Sequence, residues 1–176
     1  MTVRILSIAI AILIASTGLL AGCFGGITTA MMADMAPVDA NAQKEFTYDF
    51  SLPGKSQVVL WRSARDFFAE TYGDSRAVFR VEDEKDGTLI GRGLAPWALM
   101  SSHCVSEYQI RFAAKDGKAR LQIELIEGAP ALSQCQGWLW PSKNGYKEIT
   151  DSFAESAKNL ELALQGKGSG SKLKDF

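Results

Sequence analysis

The sequence predicts a two-layer α+β domain: an antiparallel sheet of about five strands with two helices on one face, in the order β-α-β-β-β-β-α. Three observations carry this. Several short segments alternate apolar and polar residues with a period of two. The turn signals Glu84-Lys85-Asp86-Gly87 and Lys115-Asp116-Gly117-Lys118 each join two such segments as a hairpin. Two longer segments repeat apolar residues every three or four positions, as amphipathic helices do. Hairpins with clean alternation imply one covered and one open sheet face, and the helices are the layer available to cover it.

A leader precedes the domain. Arg4 is the only charge in residues 1–22, and Ile5 to Ala15 is a compact apolar run. It is shorter than the roughly 20 apolar residues a spanning helix needs, and small residues follow it, as in a cleaved signal. Leu20-Ala21-Gly22-Cys23 resembles the lipobox of bacterial lipoprotein precursors. The resemblance implies that residues 1–22 are removed and that Cys23 becomes a lipidated N-terminus. Phe24, rather than Asp, follows the cysteine, which in a two-membrane cell implies outer-membrane delivery, facing the periplasm. An uncleaved anchor helix and an ordinary secretory signal are the alternatives. Removing 22 of the 176 residues leaves 154, one domain's length. Residues 24–43 lack sustained periodicity and are rich in Gly, Ala and small polar residues. With Cys23 they read as a tether over 23–43, whose random-coil span is roughly 25 Å. Met31, Met32 and Met35 within it suggest soft-metal binding only weakly, since no His or Cys joins them.

The domain is expected over 44–165. Residues 44–52 form the first strand, with Phe46, Tyr48, Phe50 and Leu52 on one face and Thr47, Asp49 and Ser51 on the other. Pro53-Gly54 ends it. Ser56 caps a helix to about Tyr72, with Leu60, Trp61, Ala64, Phe67, Phe68 and Tyr72 as its stripe and Gly73 as its stop. In the second strand Ala77, Phe79 and Val81 alternate with Val78, Arg80 and Glu82. Thr88 to Leu94 returns as its hairpin partner. Tyr108, Ile110 and Phe112 mark the fourth strand, and Leu121, Ile123 and Leu125 the fifth. Arg80, Glu82, Arg111, Arg120 and Glu124 are expected on the open face. Residues 95–100 and 128–146 read as connections, the second long enough to be functional or pinned. A second helix is expected over 147–164, with the stripe Ile149, Phe153, Ala157, Leu160 and Leu164, ended by Gly166. The Gly/Ser/Lys segment 166–176 reads as a disordered tail.

Beyond Cys23 the cysteines are Cys104 and Cys135, an even pair with 30 residues between them. Outside the cytoplasm such a pair favours a disulfide, which in the chain-entropy account contributes roughly 3–4 kcal/mol. A metal site of Cys104, Cys135 and His103 is the alternative, but three candidate ligands, two of them adjacent, make a poor tetrahedral set.

Leu60-Trp61-x-x-Ala64-x-x-Phe67-Phe68, Ala77-Val78-Phe79-Arg80-Val81-Glu82-Asp83, Gly87-Thr88-Leu89-Ile90-Gly91-Arg92-Gly93, Tyr108-x-Ile110 and Asp116-Gly117-Lys118-Ala119-Arg120-Leu121 follow one another in this chain. The series resembles a bacterial domain family of unknown function with a TATA-binding-protein-like (TBP-like) fold, over roughly 44–127. It implies a strand-helix-strand order like the one above and no activity. It gives no licence for DNA binding. The cysteine pair and the Trp-rich segment lie outside the resembling motifs.

Few residues suggest chemistry. No nucleophile elbow, phosphate-binding loop or His-Glu-x-x-His motif is present. His103 as a general base lacks identifiable partners. Glu82-Asp83-Glu84 lacks calcium-loop spacing and reads as a solvated hairpin end. Gly91-Arg92-Gly93 reads as strand with small residues beneath a helix. Net charge is −1, so no basic excess points to nucleic acid. The best binding candidates are aromatic and apolar residues in the two connections, Trp97, Leu99, Met100, Trp138 and Trp140. A Cys104–Cys135 bridge would gather them into a patch for a partner or lipid; the plainer alternative is that they close one end of the core. The reading that results is a non-enzymatic, lipid-anchored cell-envelope module that binds an envelope protein or lipid, without cofactor or metal. The alternative is a carrier of a small apolar molecule between sheet and helices.

Overall fold

A computed structural model describes residues 32–72 and 79–167. The expected signal segment, Cys23, Gly73, the strand residues Ala77 and Val78, and the tail beyond Lys167 lie outside these. The chain divides into two compact units, Met1–Ala36 and Pro37–Phe176. Of the first, the described part is a short helical turn at 32–35.

In the second unit the elements are β1 (Glu45–Ser51), α1 (Gln57–Tyr72), β2 (Phe79–Asp83), β3 (Thr88–Leu99), β4 (Ser102–Lys115), β5 (Lys118–Leu125) and α2 (Lys143–Leu164). The expected order holds. The strands form one antiparallel sheet, β1-β5-β4-β3-β2. The crossover from β1 to β2 is α1, so β5 can add beside β1 at the end of the chain's strand sequence.

Register puts the alternation to work. Phe46, Ile123, Ile110, Gly91 and Phe79 form one row across the sheet on the covered face. Helix α1 reaches this face through Phe68, which meets Phe79 and Phe112 at ring-centroid distances of 5.2 and 6.4 Å. Helix α2 reaches it through Phe153, 5.8 Å from Phe46 and 4.9 Å from Tyr108. Leu60, Leu89, Ile110, Phe112, Leu121, Ile149, Leu160 and Leu164 fill the layer between and are fully buried. Every residue expected in the α2 stripe is buried, as are Leu60, Trp61, Ala64 and Phe68 of α1.

Four expectations are corrected. First, β3 runs to Leu99 rather than Leu94, and β4 begins at Ser102, so residues 95–99 are strand and not connection. Ala95 and Trp97 point into the core and Pro96 and Ala98 outward. The outward residues are themselves apolar, so the period of two carried no polarity contrast. Second, α2 starts at Lys143, four residues earlier than 147, because the Ser142 hydroxyl accepts from the Gly145 amide at 3.0 Å and caps the first turn. Third, a register shift between Phe79 and Val81 moves Val81 to the open face, where it is exposed, and Glu82 to the helix side of the edge strand. Fourth, residues 37–43 are not free tether. Pro37 bridges to Ser142, the Val38 amide donates to the Pro141 carbonyl at 2.8 Å, and the Tyr146 hydroxyl donates to the Gln43 carbonyl at 2.8 Å. The folded unit begins at Pro37, not at residue 44.

Candidate functional site

The β3–β4 hairpin extends beyond the rest of the sheet. Strand β5 pairs β4 only as far as Tyr108, so the β4 edge from Ser102 to Ser106 needs another partner. The segment after β5 supplies it. The Val105 amide donates to the Ser133 hydroxyl at 3.0 Å, the His103 amide to Oε1 of Gln134 at 2.8 Å, and the Gln134 amide to the His103 carbonyl at 3.3 Å. Cys104 and Cys135 are joined by a disulfide, with Cα atoms 5.2 Å apart. The long segment is therefore pinned, and the Ser133 hydroxyl also receives the Cys135 amide at 3.2 Å.

Trp97 does not belong to a surface patch. It is 5% exposed, its indole N–H donates to the Ser106 hydroxyl at 3.1 Å, and Trp138 meets it edge to face at 5.9 Å. Its ring lies on the first turn of α2, at Gly145, where any Cβ would come within 2.4 Å of the indole. Trp138 and Trp140 are half-buried, as is Leu99. The Lys44 ammonium sits 4.3 Å from the centre of the Trp140 ring, donates to the Asp39 carbonyl at 3.1 Å, and lies 5.9 Å from the Tyr146 ring. Desolvation there lowers the Lys44 amine below its usual value, with Asp39 acting the other way. Of the expected patch only Met100 is fully in solvent, at 80% exposure, on a turn with positive φ. Leu139, between Trp138 and Trp140 of the expected patch, is 59% exposed on the same end of the domain, and Leu132, which sequence reasoning missed, is 62% exposed there. Their position in an irregular segment gave no periodic signal.

The open sheet face is the second surface. Arg120 holds Asp49 with two hydrogen bonds, 2.6 and 3.0 Å, which keeps that carboxyl below the usual range. Arg92 pairs with Glu107 at 3.0 Å and Arg111 with Glu124 at 3.7 Å. Such exposed pairs contribute little stability. Val81 and Leu94 are exposed on the same face, alongside half-buried Ile90 and Val105.

The residues considered for chemistry have structural positions. His103 is exposed on β4. Asp83 of the acidic run accepts from the amides of Lys85 and Asp86 and shapes the turn, while Glu84 pairs with Arg62 at 2.7 Å. Gly93 lies under the Tyr108 ring, not under a helix; a Cβ there would be 2.4 Å from it. The Tyr108 and Tyr72 hydroxyls share a hydrogen bond of 2.7 Å, and burial pushes both phenols up, which suits packing rather than proton transfer near neutrality. Among the described residues no group of three or more His, Cys, Asp or Glu could hold a metal ion, and no helix is long and apolar enough to cross a membrane.

Residues 46–127 match a family described as a domain of unknown function (DUF4468) with TBP-like fold. Two solved structures share the architecture. A TBP-like protein from Parabacteroides distasonis ATCC 8503 is 12% identical, with a TM-score of 0.55, covering 74% of this chain and 97% of that one. A DUF4468 family protein from Bacteroides ovatus ATCC 8483 is 16% identical, with a TM-score of 0.52, covering 74% and 90%. At these identities the likeness speaks of fold. The sequence matches no curated protein.

Proposed function

We propose that this chain, whose residues 46–127 match the DUF4468 family with TBP-like fold, is a lipid-anchored envelope protein whose domain binds another envelope component. The observation that carries the binding role is the uncovered sheet face. Both helices pack on the other side, and the open side presents Val81 and Leu94 to solvent, with the Arg92–Glu107 pair on the same face. Apolar side chains beside paired charges suit a reversible protein contact. The layer between sheet and helices is filled by fully buried Leu60, Leu89, Phe112 and Leu160. Trp97 is packed by Gly145 and Trp138. These contacts favour a binding module over a carrier with an internal cavity. Anchoring rests on Leu20-Ala21-Gly22-Cys23.

Two measurements test the reading. Metabolic labelling with a fatty acid should mark the wild-type protein and not Cys23→Ser; equal labelling of both removes the anchor. A photo-cross-linking residue at Leu94 should give a discrete adduct in intact cells. The adduct should disappear on Val81→Lys and be absent when the cross-linker replaces exposed Lys158 on α2. Identical adducts from both positions would remove the open face as the binding surface.

A further inference from the structure

We infer that the β3–β4 end of the domain rests on a lipid bilayer, with Met100, Leu132 and Leu139 entering the boundary between headgroups and acyl chains. The inference deepens the anchoring reading and rests on it. Among the described residues of the folded unit these are the three most exposed large apolar side chains. They lie on two segments without a single Asp, Glu, Lys or Arg: Gly93–Ser106, 14 residues, and Gly128–Ser142, 15 residues. The disulfide and the Ser133 and Gln134 hydrogen bonds hold these segments side by side. In a chain with 22% charged residues, the two longest charge-free runs of the folded unit meet at one end of one sheet. The other end carries Lys55, Glu84, Lys85, Asp86, Asp116 and Lys118. Bringing charges to the acyl boundary costs desolvation, whereas Ser, Gln and backbone groups remain at headgroup level. Half-buried Trp138 and Trp140 flank Leu139 in the chain, amphipathic rings suited to that depth.

The path of the chain selects a bilayer over other apolar occupants. Pro37 enters the folded unit beside Ser142, at this same end. Cys23 precedes it by 14 residues, a random-coil span of roughly 20 Å. The charged end lies a β4 length away, roughly 45 Å for its 14 residues at the strand rise. An anchor at Cys23 therefore confines the apolar end near the headgroups and leaves the open sheet face sideways, free for a partner.

The full chain, purified from host membranes, is weighed intact for lipid on Cys23. It is then reconstituted in vesicles of phosphatidylethanolamine and phosphatidylglycerol with and without bromine on the acyl chains. Bromine should quench tryptophan emission of the wild type. The triple variant Met100→Ser, Leu132→Ser, Leu139→Ser should lose that quenching while keeping its denaturant melt, and Lys85→Leu at the far end should keep both. Lipid on Cys23 with unquenched wild-type emission overturns the docking and leaves anchoring intact. Quenching that the triple variant loses, with no lipid on Cys23, keeps the docking and overturns anchoring. Equal quenching in wild type and triple variant, or cross-links from a photoreactive residue at Leu132 to protein instead of lipid, also overturns the docking.

Discussion

Gly145 lies against the face of Trp97: a Cβ built on it would come within 2.4 Å of Cε3 and 2.7 Å of Cδ2 of the indole. The contact couples the start of α2 to the far end of β3.

The contact reverses an ordinary rule. A helical Gly→Ala change usually stabilises by up to about 1 kcal/mol. Here the new methyl meets a ring held by its hydrogen bond to Ser106 and by Trp138. Gly145→Ala should cost about 1–3 kcal/mol, as overpacking does. Chemical denaturation measures it, and a stabilised variant would refute the clash.

The tryptophans should separate by burial. Trp97→Ala should cost about 3–5 kcal/mol, the range for a large buried aromatic. Trp140→Ala, which removes a cation–π contact with Lys44 at a half-buried site, should cost about 1 kcal/mol. Equal losses in the two melts would contradict this placement.

The Cys104–Cys135 bond closes a loop with a sequence separation of 31. Replacing both cysteines by Ala should lower stability by about 2–4 kcal/mol. Alkylation of the denatured, unreduced protein should leave Cys104 and Cys135 unmodified. Two reactive thiols from these positions would exclude the bond.

All four tyrosines are pushed upward by burial, Tyr108 most strongly. The sign follows directly. In the unfolded chain a phenol ionises near pH 10, whereas the folded state keeps it neutral above that. The stability these groups contribute is complete below pH 10 and is lost as pH rises above it. For each phenol that stays neutral only in the folded state, the loss is about 1.4 kcal/mol for every tenfold fall in proton concentration. Unfolding free energy should fall steeply in alkali, with phenolate absorbance of Tyr72 and Tyr108 arriving with unfolding. Tyr108→Phe should flatten the fall. Phenolate from all four residues before unfolding would exclude the buried pair.

A last substitution probes the sheet itself. Gly93 faces Tyr108 across β3 and β4, with room for the ring only because Cβ is missing. Gly93→Ala should displace the Tyr108 hydroxyl from Tyr72 and cost about 1–3 kcal/mol. A melt unchanged from wild type would show that the ring moves freely.

By itself the sequence determined the element order, the covered face and most of the core. Those depend on periods of two and of three or four, and in β1, β4, β5 and both helices the outward residues are polar enough to make the period visible. Parity of cysteines and the leader segment pointed to the Cys104–Cys135 bond for the same local reason. Tertiary structure decided the rest. Ala95 to Leu99 is strand, yet Pro96 and Ala98 point outward and are as apolar as their inward neighbours, so only pairing with β4 reveals the alternation. Val81 turned outward because one extra residue in β2 shifts register against β3. Trp97 became core because α2 presents Gly145 to it, a contact across 48 positions that no local window contains. Met100, Leu132 and Leu139 became one end of the molecule for the same reason. Each sits in a turn or irregular stretch without a sustained period, and only the hairpin overhang and the disulfide bring their segments together.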